Sequence, residues 1–284
     1  MRRQLITLLF SFLTAVLHGQ NVNNDLSFFS YNYDKPIIKR NKVETVTIET
    51  FYSDGVSSTK AIYYFDNQGL LKKQTILDST GIALNEFYFI SNSHEDLVTR
   101  IKKDYHSNKV DTVFYFKYYE KDKLIKDSSS DIPLSYKYEY NKTGKLSRTI
   151  IDSNFDLVNK KRRIILNRFD GSGKVINISE TVYQNENDLT GSLFSNRDIS
   201  YNQTGKIVKE SEKLNHANSF LVNYGTIIYG YDSYGKLIKV LRENAASYFY
   251  TYYQKGLIKS QKMIIKLDDT KIETLSKYTY TFRQ

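Results

Sequence analysis

The chain has 284 residues, a net charge of +10 and no cysteine, with 25 Tyr, 16 Phe, 13 Gly and 2 Pro. The missing thiol excludes a disulfide framework, a cysteine-based zinc site, a thiol nucleophile and a lipoprotein anchor. An aromatic content of 14% excludes a disordered chain, and so few Pro and Gly exclude collagen-like or Pro-rich sequence.

In chain order, the first feature is an address. Arg2 and Arg3 precede Leu5 to Leu17, a mostly apolar stretch of 13 residues followed by Gly19. This predicts a secretory signal peptide over residues 1–20, cleaved near residue 19–20, because the stretch falls short of the ~20 residues that cross a bilayer as a helix. No later stretch reads as a transmembrane helix. The expected product is exported to the periplasm, the cell surface or the medium, and its charge falls to +8 without the two arginines. Residues 21–42, with Pro36, lack a regular pattern and read as a leader or cap. Residues 43–284 read as a single β-hairpin repeat domain.

The repeat is aromatic, Asp or Asn, two residues, Gly, one residue, aliphatic. Its full copies are Phe65-Asp66-Asn67-Gln68-Gly69-Leu70-Leu71, Tyr140-Asn141-Lys142-Thr143-Gly144-Lys145-Leu146, Phe169-Asp170-Gly171-Ser172-Gly173-Lys174-Val175, Tyr201-Asn202-Gln203-Thr204-Gly205-Lys206-Ile207 and Tyr231-Asp232-Ser233-Tyr234-Gly235-Lys236-Leu237. Degenerate copies centre on His94 to Val98, Tyr119 to Leu124 and Tyr253 to Ile258, so the spacings run from 21 to 32 residues. The Asp or Asn side chain accepts a hydrogen bond from the backbone two residues on, and the Gly takes a left-handed conformation. Each copy therefore predicts a tight hairpin with a Gly bulge. The turn residues are Asp66, Gly69, Asn141, Gly144, Asp170, Gly173, Asn202, Gly205, Asp232 and Gly235.

The flanks read as strands. Tyr136-Lys137-Tyr138-Glu139-Tyr140 alternates ring and charge with period two, and Tyr278-Thr279-Tyr280-Thr281-Phe282 does so with Thr. Looser turns lie between the tight ones, at Ser53 to Gly55, Asp78 to Gly81, Asp127 to Ser130, Asp152 to Asn154, Gln184 to Gly191, Asn215 to Ser219 and Asp268 to Thr270. In an up-and-down meander the two turn classes fall on opposite edges. No part of the exported chain shows a helical period. The expectation is an all-β fold: an antiparallel meander of roughly 18 strands. A sheet of that size must curl, close or split; a spiral, a barrel and a sandwich all remain open, and a curled or spiral sheet is the favoured form.

The unit Tyr229-Gly230-Tyr231-Asp232-Ser233-Tyr234-Gly235-Lys236-Leu237 resembles the YD repeat of RHS-type secreted bacterial proteins, and the likeness extends over most of residues 60 to 260. A looser likeness is to MORN-type repeats, whose glycines are denser. The YD resemblance implies a strand-spiral fold and export. The eight units are too few to enclose another domain, so it does not imply toxin delivery.

Residues suited to chemistry are sparse. His94, His106 and His216 each fall in a turn, and a metal site needs several ligands to converge. There is no Gly-x-Ser-x-Gly elbow and no phosphate-binding Gly loop. Asp268-Asp269 is a carboxylate pair that reads more simply as a turn. The sequons at Asn141, Asn177 and Asn202 follow from turn composition. No catalytic residue, metal or cofactor is expected. Lys145, Lys174, Lys206 and Lys236 each follow a turn Gly and would stack into a basic column; this suits a polyanion or, more simply, protects edges from association. Lys160 to Arg163 is the densest basic cluster and reads as the charged opening of a strand. Tyr248 to Tyr253 places rings on both faces of one strand, so Tyr250 and Tyr252 are candidates for an exposed binding surface.

These features predict a non-enzymatic exported repeat protein, a binding or scaffold module at the envelope or outside the cell. Its expected partner is a protein or polysaccharide, with nucleic acid disfavoured. The alternatives are a carboxylate-based hydrolase with its site in the variable loops, and a module whose exposed edge strands add to another chain.

Overall fold

The computed structural model describes residues 35–52, 58–93, 96–131, 134–153, 161–183, 192–214, 225–242, 246–267 and 270–284. A short helix, α1 (Lys35–Arg40), precedes eighteen strands. They are β1 (Val43–Tyr52), β2 (Ser58–Phe65), β3 (Leu71–Leu77), β4 (Ala83–Ser91), β5 (Leu97–Asp104), β6 (Lys109–Glu120), β7 (Lys123–Ser129), β8 (Leu134–Tyr140) and β9 (Leu146–Ser153). The second half comprises β10 (Lys161–Phe169), β11 (Val175–Tyr183), β12 (Ser192–Tyr201), β13 (Ile207–Leu214), β14 (Thr226–Tyr231), β15 (Leu237–Arg242), β16 (Ser247–Tyr252), β17 (Ile258–Leu267) and β18 (Thr270–Phe282).

Each strand pairs antiparallel with its sequence neighbours, and β18 pairs antiparallel with β1 from Val43↔Phe282 to Tyr52↔Thr274. The sheet is therefore a closed up-and-down barrel, not the curled or spiral sheet that was expected. The long last strand makes the difference: β18 is 13 residues long and reaches both β17 and β1. Closure removes the free N–H and C=O rows of an edge, which leaves no edge strand among the described residues to add to another chain.

The tight hairpins form as the motif dictates. The Asp66 carboxylate accepts from the backbone of Gln68 and also from Leu70, a second bond four residues on. Asn141, Asp170, Asn202 and Asp232 make the same second bond to Lys145, Lys174, Lys206 and Lys236. The turn glycines have φ between 77° and 81°. The ladder shifts at the motif aromatic, as at Glu139/Tyr140, Arg168/Phe169, Ser200/Tyr201 and Gly230/Tyr231, which is the expected bulge. In the degenerate β6–β7 copy, Lys121 and Asp122 take φ of 48° and 61° without any Gly.

Two turn readings need correction. Asp78 to Gly81 is not loose: the Asp78 carboxylate accepts from Thr80 and Ile82 and Gly81 has φ 88°, the tight geometry at the opposite end of the barrel. Asp127 to Ser129 is strand, and Asp127 is buried facing inward, where it accepts from the Tyr138 hydroxyl.

Helix α1 was not foreseen; six residues are too few to show a period. Its Ile38 is buried, and Asn41 closes it by donating to the Ile37 carbonyl. It sits on the tight-turn rim. A Cβ on Gly69 would lie 3.1 Å from the Lys35 carbonyl and 3.2 Å from the Lys39 amide.

Strand alternation sorts side chains to two faces. The inward face is split. From β14 through β18 and β1 to β4 it is mostly apolar: Ile227, Val240, Tyr250, Tyr278, Val46, Tyr63 and Phe89 belong to one buried cluster. From β5 to β13 it carries most of the inward charge, including Lys117, Asp127, Arg197, Glu210 and Glu212.

Candidate binding surface

The tight-turn rim holds four of the six binding candidates. The Lys145 ammonium lies 5.9 Å from the Phe169 ring of the next hairpin and donates to the Gly173 carbonyl at 2.5 Å. Lys206 repeats this over Tyr231, 5.3 Å away, and bonds the Gly235 carbonyl. Lys174 lies 5.3 Å from the Tyr201 ring and Lys236 lies 5.5 Å from Tyr252. The column forms, but each cation leans sideways onto its neighbour's ring, a contact of ~0.5–1 kcal/mol. The other two candidates face inward. Tyr250 is 6% exposed. Tyr252 donates its hydroxyl to the Leu237 carbonyl at 2.6 Å, and burial pushes it up to about 12.

Tyr252 shows what the motif tyrosine does, a role the sequence reading missed. Adjacent hairpins diverge at this rim, and at five of these gaps a phenol bridges them. Tyr140 donates to Leu124 O at 2.9 Å, Tyr201 to Val175 O at 2.7 Å, Tyr231 to Ile207 O at 2.8 Å and Tyr280 to Ile258 O at 2.8 Å. Phe169 has no hydroxyl, and there Asn167 donates to Leu146 O at 3.0 Å instead.

The inward charges are engaged with one another. Arg197 bridges Glu210 at 3.3 Å and Glu212 at 3.2 Å, and Glu210 also accepts from the Tyr229 hydroxyl. Burial alone would lower the Arg197 pKa; the two carboxylates overrule it and the net shift is upward. Asp96 accepts from the Tyr119 hydroxyl at 2.6 Å and pairs with Lys117 at 3.4 Å. These are ion pairs, not two acids in contrasting environments. Among the described residues, no group of three or more His, Cys, Asp or Glu could hold a metal ion. His106 is exposed in the β5–β6 turn. His94, His216, Lys160, Asp268 and Asp269 lie outside the described residues. Lys161 opens β10, Arg162 pairs with Asp152 at 2.6 Å, and Arg163 pairs with Glu180.

The outward wall is charged along most of its circumference. Glu49 pairs with Lys60 at 3.2 Å, Glu139 with Arg148 at 3.4 Å and Glu273 with Lys262 at 2.9 Å. A membrane-spanning barrel carries an outward apolar band ~25 Å tall, and a Lys or Arg at its midplane costs ~2–4 kcal/mol. With Glu49, Lys262 and Glu273 well inside their strands, the wall does not carry such a band on β1, β17 and β18.

One sector departs from this. On β4 and β6 the outward positions include Leu84, Tyr88, Ile90, Phe114, Phe116 and Tyr118, with Ile101 between them on β5. Phe114, Phe116 and Tyr118 are 50%, 47% and 52% exposed. The register joins Ile90 to Phe114 through Thr99, and Tyr88 to Ile101. Scattered exposed apolar residues elsewhere, such as Leu166, Ile228 and Leu275, need no explanation; a contiguous group does. The acid inside this strip, Glu86, is masked. It takes Lys73 at 2.5 Å and Thr75 at 3.5 Å on one oxygen, and the hydroxyls of Tyr88 at 2.7 Å and Tyr105 at 2.8 Å on the other. Partial burial would raise its pKa, but the Lys73 and tyrosine hydrogen bonds prevail and hold it at about 2.

No family model matches the chain, and no curated protein matches its sequence. Solved structures do. A porin-like protein from Bacteroides uniformis is 11% identical, with 84% of this chain and 98% of that chain covered and a TM-score of 0.43. The Photorhabdus luminescens Tc holotoxin pore is 10% identical at a TM-score of 0.33, over 79% of this chain and 15% of that one. The TcdB2-TccC3 structure is 10% identical at 0.34, over 80% and 16%. This chain thus spans a small fraction of the toxin chains, and with every TM-score below 0.5 none of these likenesses carries an argument about its function.

Proposed function

We propose that the protein is a non-enzymatic binding module, exported to the envelope or beyond, built from a short array of YD-type hairpins and using the aromatic strip of β4–β6 as its contact surface. The observation that carries this reading is the strip itself: a contiguous run of half-exposed rings on an otherwise charged wall. The engaged inward carboxylates support a structural role for the interior, and the stapled lysines support one for the rim. The signal-peptide pattern of residues 1–20 supports export.

The test is a pull-down. Residues 21–284, immobilised, would be exposed to envelope and secreted fractions and eluted with rising salt. The expected result is a binder that is lost with Phe114→Ser/Phe116→Ser and kept with Lys145→Gln/Lys206→Gln. Retention that ignores the first variant, is released by moderate salt and disappears with Lys145→Gln/Lys206→Gln would move the surface to the rim and overturn the assignment.

A further inference from the structure

Resting on that reading, we propose that the strip docks on the surface of an anionic phospholipid bilayer, with its rings among the headgroups and its flanking lysines on the lipid phosphates. Shape is the first ground. The outward residues of β6 from Val110 to Tyr118 extend about 27 Å along the strand, while β4 to β6 is about 10 Å across. A convex wall meets a flat surface along a narrow strip, and these apolar side chains form one.

Charge is the second ground. Lys126 and Lys137 stand directly opposite each other on β7 and β8, both exposed, on the outward face beside the strip. Directly opposed like charges destabilise a sheet, and among the described residues neither lysine forms an ion pair. The Lys126 ammonium lies 5.7 Å from the Tyr118 ring. Within the strip, between Glu86 and Val110, Lys103 lies 4.5 Å from the Tyr105 ring. Glu86 is neutralised in place by Lys73 and the two phenols. The surface is therefore aromatic and cationic with its acid masked, which is the chemistry of an interfacial membrane contact. The rest of the wall is too charged to enter lipid, so the contact is one-sided and shallow.

The test is vesicle co-sedimentation of residues 21–284, which retain α1 and every strand of the closed barrel. The vesicles are phosphatidylcholine alone, or mixed with phosphatidylglycerol. Binding is expected only with the anionic lipid. It should weaken about fivefold for each of Lys126→Gln and Lys137→Gln, and by at least roughly tenfold in Phe114→Thr/Phe116→Thr/Tyr118→Thr, with the melting temperature kept. Leu275→Thr, outward on another sector, should change nothing. The inference is overturned by absence of binding, by equal binding to neutral vesicles, or by a triple-Thr variant that is folded and binds as the parent does. If vesicles fail while a partner in the pull-down still depends on Phe114 and Phe116, the binding module stands and its partner is a macromolecule other than lipid.

Discussion

Replacing Tyr231 by Phe removes one oxygen and leaves the rest of the rim in place. The ring stays under Lys206, just as Phe169 stays under Lys145. Lost is the 2.8 Å bond to the Ile207 carbonyl, at a point where the ladder between β13 and β14 has ended: their register runs only from Lys209↔Ile228 to Ser211↔Thr226. A neutral hydrogen bond contributes about 1 kcal/mol net, and a half-buried carbonyl left without a donor raises the cost toward ~2–3 kcal/mol. For a chain of this size each kcal/mol lowers the melting temperature by about 2–4 °C. Tyr201→Phe should cost the same, and the two should add, since their acceptors are two strands and about 10 Å apart.

Phe169 supplies the internal control. Its staple is Asn167, so Asn167→Ala should cost about 1 kcal/mol in the parent and almost nothing beside Phe169→Tyr, which puts a hydroxyl back in reach of Leu146. Calorimetric or fluorescence melts of the four proteins close the cycle. A Tyr231→Phe melt within ~0.3 kcal/mol of the parent, or an Asn167–Phe169 cycle without coupling, refutes the staple.

Three further outcomes follow from the geometry. Gly69→Ala should destabilise more than Gly81→Ala in denaturant titrations: both glycines are left-handed, a strain of ~1–3 kcal/mol for Ala, but only at Gly69 would the new methyl press on backbone, that of α1. Arg197→Met leaves Glu210 and Glu212 without their shared cation and should cost about 3–5 kcal/mol by chemical denaturation. The Glu86 carboxyl is held below its ordinary value, at about 2, so its stabilisation is present at neutral pH and fades as pH falls from about 4.5 toward about 2. Glu86→Gln should therefore lower the melting temperature at pH 7 and converge on the parent near pH 2.

The turns were legible because their causes are local. An Asx side chain and a left-handed Gly act within five residues, so the motif places its five full hairpins without any tertiary knowledge. Closure was not legible, because it joins residues 236 apart: Thr45 and Thr281 share a 2.7 Å hydroxyl bond, and no nearby sequence encodes that meeting. Asp127-Ser128-Ser129-Ser130 has turn composition, and the Tyr138 hydroxyl that accommodates Asp127 in the interior lies one strand away. The binding strip was hidden by its own composition. Phe114-Tyr115-Phe116 puts rings on both faces, and only the pairing of Arg100 with Val113 and Thr99 with Phe114 tells which face is outside. The same ambiguity at Tyr248 to Tyr252 led the sequence reading to rings that turn inward.

This distribution of apolar surface also bears on how the barrel stays folded. About half of its inner circumference, from β14 round to β4, holds the main apolar cluster; the rest mixes buried apolar side chains such as Val113, Tyr138 and Ile199 with ion pairs whose net contribution is small once desolvation is counted. Stability must then come in good part from the closed ladder, which leaves no unpaired edge, and from the rim, where phenols and lysines bind each hairpin to the next. Those contributions lie away from the outward side chains of β6. Phe114, Phe116 and Tyr118 can therefore be exchanged for Thr, a good strand former, without touching what holds the barrel together. A loss of binding in that variant reports on the surface itself, and its unchanged melting temperature is as firm a requirement of the reasoning as the lost affinity.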